Sequence, residues 1–161
     1  MSKEKTSLDI IKENYEKLRK QYDLPKFEDI DMEFELRKSD ETTFLRKEIR
    51  RAILHKLQGT LNYLETSLEV NPSSLHSFIE SEAFTKTERE NATIFYRRIG
   101  YLLHKGLKSG LGTEQDEMEF IKELWDEWPQ IKEGVKSLMD KIMAAWKKNL
   151  PDDDEKQIYF G

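Results

Sequence analysis

Apolar side chains recur every third or fourth residue along almost the whole chain, and nothing constrains its fold more. The longest case runs from Glu114 to Asn149, where Ile121, Leu124, Trp128, Ile131, Val135, Leu138, Ile142 and Trp146 stay in phase. A period of 3.6 residues puts them on one face of an α-helix. Pro129 falls inside this run. A proline in a helix interior costs about 3 kcal/mol unless the helix kinks or restarts there. Two helices meeting at a kink are therefore expected.

The remaining segments follow the same rule. Thr6 or Ser7 caps a first helix reaching Tyr22, striped by Leu8, Ile11, Tyr15, Leu18 and Tyr22, and Pro25 ends it. Ser39 or Asp40 opens a second helix to about Glu69, lined by Leu45, Ile49, Ala52, Ile53, Leu57, Leu61, Leu64 and Leu68. Gly59 inside it marks a bend or a close helix contact. Asn71-Pro72-Ser73-Ser74 is a stop and a new cap, giving a short helix from Pro72 to Ser81. Thr85-Lys86-Thr87-Glu88 has capping-box spacing and opens a helix to about Leu107. Its stripe of Ala92, Phe95, Ile99, Leu102 and Gly106, widened by Tyr96, Leu103 and Leu107, makes it the most apolar helix, which places it at the centre. Gly110-Leu111-Gly112 closes it, and Thr113-x-x-Asp116 opens the last helical region.

Only residues 27–36 read two ways. Ile30, Met32, Phe34 and Leu36 alternate with acids as in a strand, whereas Phe27, Ile30 and Phe34 fit a helix. With no second strand to pair, the segment is expected as an extended or short helical connector, apolar face inward. The fold class is all-α: a single-domain bundle of five to six helices over residues 1–150. An acidic C-terminal tail, residues 151–161, carries Asp152-Asp153-Asp154-Glu155.

Charge is abundant and unevenly spread. Of 161 residues, 37% are charged and 37% hydrophobic, and 27 basic against 32 acidic residues leave a net charge of −5. An acidic chain is a poor non-specific nucleic-acid binder. There is no cysteine, which excludes disulfides, thiol nucleophiles and Cys-bound zinc. No run is apolar enough for a signal peptide or a membrane span, so a cytoplasmic location is expected. The second helix carries a basic face of Arg46, Lys47, Arg50 and Arg51, and Arg97, Arg98, Lys105 and Lys108 add a second one. By contrast, the stretch 114–127 is strongly acidic. The basic faces either contact phosphates, as in a nucleic-acid-binding accessory protein, or match the acidic helix within the fold or across a homodimer. The global charge favours the second.

Candidate chemistry is sparse. His55, His76 and His104 lack the Glu-x-x-His spacing of di-iron bundles. His55 and His104 read as helix-surface or half-buried residues beside basic neighbours. Glu13-x-x-Glu16, Glu114-x-x-Glu117 and Glu123-x-x-Asp126 each set two carboxylates one turn apart. All-helical pyrophosphohydrolases hold Mg²⁺ with such pairs on neighbouring helices. Here the acids are expected to face outward, and neither a metal nor another cofactor is expected. No phosphate-binding glycine loop or serine elbow occurs. Trp125, Trp128 and Trp146 lie near one stripe, and Tyr159 and Phe160 end the tail. These aromatics pack in the core or serve as contact residues.

The runs Leu24-Pro25-Lys26-Phe27, Phe44-Leu45-Arg46-Lys47-Glu48-Ile49-Arg50-Arg51 and Phe120-Ile121-Lys122-Glu123-Leu124-Trp125-Asp126-Glu127-Trp128 resemble pieces of small all-helical archaeal proteins of uncharacterised families. The resemblance implies an all-α fold and carries over no catalytic residue or partner. The expected function is a non-catalytic interaction or assembly module acting on a protein partner or on itself. The alternatives are the nucleic-acid-binding accessory protein using the Arg-rich second helix and, after it, a metal-dependent all-α phosphohydrolase.

Overall fold

The computed structural model describes residues 6–38, 44–71, 73–148 and 150. Of the described residues 84% are helical, and no strand occurs among them. Six α-helices follow in chain order: α1 (Ser7–Tyr22), α2 (Phe27–Phe34), α3 (Leu45–Leu68), α4 (Leu75–Ser81), α5 (Lys86–Ser109) and α6 (Glu114–Lys147). A 3₁₀ turn, Leu36–Lys38, follows α2. The expected tail lies outside the described residues, as do Ser39 and Asp40; the second helix starts later than expected, at Leu45, with Phe44 in the cap position and no side-chain cap bond.

Cap chemistry sets the helix starts. Thr6, Thr85 and Thr113 each form a full capping box, with Asp9, Glu88 and Asp116 returning the hydrogen bond. Each box satisfies N–H groups that an open helix end leaves bare. Ser74 caps α4, which therefore begins at Leu75 rather than at Pro72. The ambiguous segment resolves as helix α2, burying Phe27, Ile30 and Phe34 while Met32 stays exposed. A helix satisfies its own backbone, so α2 needs no partner strand.

Four expectations are corrected. The centre is α3, which packs against every other helix. It buries Leu45, Ile49, Ile53, Leu54, Leu57, Leu61 and Leu64, whereas the buried set of α5 includes the small Ala92 and Gly106. Along its length α3 is also the more apolar of the two helices, so the expectation misjudged apolar content as well as position. Second, α6 is one helix through Pro129. The proline is exposed, and Trp128 and Ile131 beside it are buried, so core packing on both sides holds the halves in one phase. Third, Gly59 meets nothing: a Cβ there would have open space within 4 Å. Gly106 is the close contact instead, with Phe120 of α6 and Leu54 of α3 crowding its missing Cβ. Fourth, Leu107 is half exposed rather than part of the core face.

Candidate interaction surface

Two meetings of basic and acidic helices organise the charge of this protein. The first is internal, between α3 and α6. Arg50 Nε donates to Glu117 Oε2 at 3.0 Å, and Arg46 Nε donates to Glu117 Oε1 at 3.3 Å. Arg46 also pairs with Glu114 at 3.0 Å, and the Tyr22 hydroxyl of α1 donates to Glu114 at 2.9 Å. The Glu114 carboxylate pulls the Tyr22 pKa upward. Two arginines and two glutamates make the cluster neutral. The Glu117 side chain is only 5% exposed and that of Arg50 15%. Gly110 lets the Arg50 guanidinium lie against the turn that joins α5 to α6.

This corrects the expectation that all the paired acids face solvent. Glu117 stands four residues before Ile121, on the same stripe as Leu124 and Trp128, so the helix carries it inward. A buried carboxylate needs donors, and Arg46 and Arg50, one turn apart on α3, supply them. Sequence reasoning matched the basic face to the acidic 114–127 stretch, within the fold or across a dimer; Arg46 and Arg50 make that match within the fold, and what went unread was the burial of Glu117. The usable signal was a carboxylate occupying an apolar-stripe position.

The second meeting lies at the edge, along α5 and α6. Arg98 pairs with Glu127, and Lys105 with Glu123. Each acid raises the pKa of its cation through their hydrogen bond. Phe95 closes the far end, its ring packed against Gly134, where an added Cβ would come within 2.6 Å. Outward from this seam, α5 presents Ile94, Arg97, Tyr101, His104 and Lys108, all exposed, and α6 presents Glu119 and Asp126, also exposed. None of these charged residues has an ion pair to a described residue. His104 Nδ1 lies 2.8 Å from the Gly100 carbonyl, and Glu119 accepts from Gln115. A groove of about 730 Å³ opens at the turn end of the seam, among Tyr101, Lys105, Lys108, Leu111, Glu119 and Phe120. Leu111 stands beside it, 91% exposed.

The other expected site residues scatter. Arg51 bonds Glu48 of its own helix at 2.6 Å, and Lys47 lies over the Phe44 ring at 5.0 Å. Trp128 is core: its ring tilts on Phe34 and its Nε1 donates to Glu33 at 2.8 Å. Burial pushes the Glu33 carboxyl up, but the Lys132 and Trp128 donors hold it below its ordinary value. Trp125 is half buried against the core. Trp146 donates to Glu80 at 3.1 Å and packs on His76. Tyr159 and Phe160 lie outside the described residues. His55 and His104 are exposed on their helices.

Two further buried acids were missed. Asp31 accepts from the Arg37 backbone at 2.8 Å and from its Nε at 2.6 Å. Glu80 accepts from Thr66, Ser67 and Trp146, tying α4 to α3 and α6. Burial raises the Glu80 pKa, and these donors more than reverse it. Nearby, Arg89 Nη1 donates to the Ser67 carbonyl at 2.9 Å, and Nη2 donates to Ser81. No group of three or more His, Asp or Glu among the described residues is placed to hold a metal ion.

The chain matches no family model, no curated protein and no solved structure. No helix among the described residues is long and apolar enough to cross a membrane.

Proposed function

We propose that this chain is a non-catalytic helical interaction module that binds a protein partner on the α5–α6 face, in the cytoplasm. One observation carries the reading: among the described residues, Arg97, Lys108, Glu119 and Asp126 on that face have no ion-pair partner, and they stand beside exposed Tyr101, Ile94 and Leu111. Aromatic and apolar residues ringed by charge are what a protein interface uses. The buried carboxylates Asp31, Glu80 and Glu117 are each committed to donors that join elements of the fold. Such groups hold helices together.

The nucleic-acid reading is disfavoured by the same geometry. Arg46 and Arg50 turn inward to Glu117, and Arg98 is drawn to Glu127. Too few arginines converge outward for a phosphate-binding face.

The test is capture from cells that make the protein, using tagged wild type and a Tyr101→Ala variant, with mass spectrometry of bound protein and sequencing of bound nucleic acid. The expected result is a protein, a second copy included, retained by wild type and lost by the variant. Retention of RNA or DNA at physiological salt, unaffected by Tyr101→Ala, would overturn the reading.

A further inference from the structure

We infer that the occupant of the α5–α6 face is a second copy of this chain, docked face to face about a two-fold axis parallel to the two helices. The inference rests on the interaction reading and names its partner. The face is divided lengthwise. On α5 it carries Arg97, His104 and Lys108, with Glu90 as an acid only at the end far from the turn; on α6 it carries Glu119 and Asp126. A partner that is acidic throughout, nucleic acid included, would meet the acidic half. A basic partner would meet the basic half. The surface that fits both halves has the same two rows with their sides exchanged.

Symmetry supplies that surface. An axis in the plane of the face and parallel to the helices turns the basic row of one copy over the acidic row of the other. An axis across the helices would stack basic on basic. A two-fold interface is self-complementary, so each contact occurs twice.

The register follows from the seam. Lys105 is level with Glu123, Arg98 with Glu127, and Phe95 with Gly134. The helices are antiparallel, so Lys108 is level with Glu119, and Tyr101 with Asp126. The axis preserves level. Lys108 of each copy then faces Glu119 of the other, and the two Leu111 side chains meet over the groove at the turn.

The face is also large enough. The 24 residues of α5 span about 36 Å at 1.5 Å per residue, and two helices packed ~10 Å apart present a strip ~20 Å wide. That is roughly 700 Å² per copy, or about 1,400 Å² in total, inside the range of stable specific interfaces.

The test is sedimentation equilibrium on the pure full chain: wild type, Lys108→Glu, Glu119→Lys, the double exchange, and Leu111→Ser. All three substituted positions are exposed, and Leu111 lies in the turn, outside both helices. Circular dichroism checks that each variant is folded. Wild type is expected to dimerise at tens of micromolar or below. Each single reversal sets like charges opposite one another twice and weakens the dimer at least about tenfold. The double exchange restores affinity to within roughly threefold, because the opposed charges are again unlike. Leu111→Ser weakens it without changing its salt dependence. A wild type that stays monomeric, or single reversals with unchanged dissociation constants, would overturn the inference. A chain that is monomeric when pure yet captures a foreign protein through Tyr101 refutes only the second copy; capture of nucleic acid instead refutes the interaction reading beneath it.

Discussion

Between α3 and α6, arginine and glutamate meet under cover; between α5 and α6, basic and acidic residues of equal formal charge meet in water. The Glu117 side chain is 5% exposed, while Lys105 and Glu123 are 37% and 38% exposed. Water screens the outer pairs and competes for their hydrogen bonds, so each is worth ~0–1 kcal/mol. Inside, the Glu117 carboxylate cannot turn to water and Arg50 can do so only in part, so losing one leaves a largely stranded charge. The same segregation of charge therefore does two jobs. The buried cluster fixes how α6 meets α3 and α1. The exposed seam adds little to stability and leaves charged rows free to meet another molecule.

Variants probe that contrast in descending order of effect. Glu117→Gln should destabilise the fold by about 3–5 kcal/mol, because Arg46 and Arg50 lose their shared carboxylate in a covered site; urea denaturation measures it. A loss near that of an exposed pair would break the comparison. Gly106→Ala forces a Cβ into Phe120 and Leu54 and should cost about 1–3 kcal/mol, the usual range for overpacking. Gly59→Ala should act the other way. Its Cβ has open space, so the variant gains up to ~1 kcal/mol of helix propensity, readable as a raised melting temperature. Removing Arg98 and Glu127 singly and together should show a coupling of no more than ~1 kcal/mol, fading with added salt.

The smallest effect is a pH dependence. Glu88 bonds Lys141 of α6 at 2.6 Å and also closes the Thr85 capping box. The Lys141 ammonium and the Thr85 N–H and hydroxyl hold its carboxyl at about 2, against an ordinary value of 4.5. A depressed folded-state pKa means that this stabilisation is complete above the ordinary value. It is lost as the pH falls toward and through about 2. The stability gap between wild type and Glu88→Gln should therefore be present at neutral pH and shrink between pH 4.5 and 2, in paired thermal melts.

Much of the fold was legible because helix chemistry is local. The Thr85 and Thr113 boxes and the in-phase stripes are set within a few residues of each other, and the structure keeps them. What escaped was non-local. Pro129 reads as a break from its own backbone chemistry, but Trp128 and Ile131 are buried on partners that the local sequence does not name. Gly59 and Gly106 look alike in sequence; only the approach of Phe120 and Leu54 separates them. Of the candidate site, the segregation of basic and acidic helices was visible. Which acid turns inward was legible only as the apolar-stripe position of Glu117; which donors meet it there was not, because Arg46 and Arg50 lie about 70 residues away in the chain. The groove between Tyr101 and Leu111 depends likewise on how α5 lies on α6, which neither stripe specifies.

The central claim is that charge segregation closes the fold from within at Glu117. The most direct test is a double-mutant cycle on Arg50 and Glu117, replaced by Met and Leu, read by equilibrium denaturation at low and high salt. The account predicts a strongly destabilising Glu117→Leu, a double variant much less damaged than the two singles together, and a coupling of about 2 kcal/mol or more that survives salt. Single effects that add to within ~0.5 kcal/mol, or a coupling that salt abolishes, would contradict it.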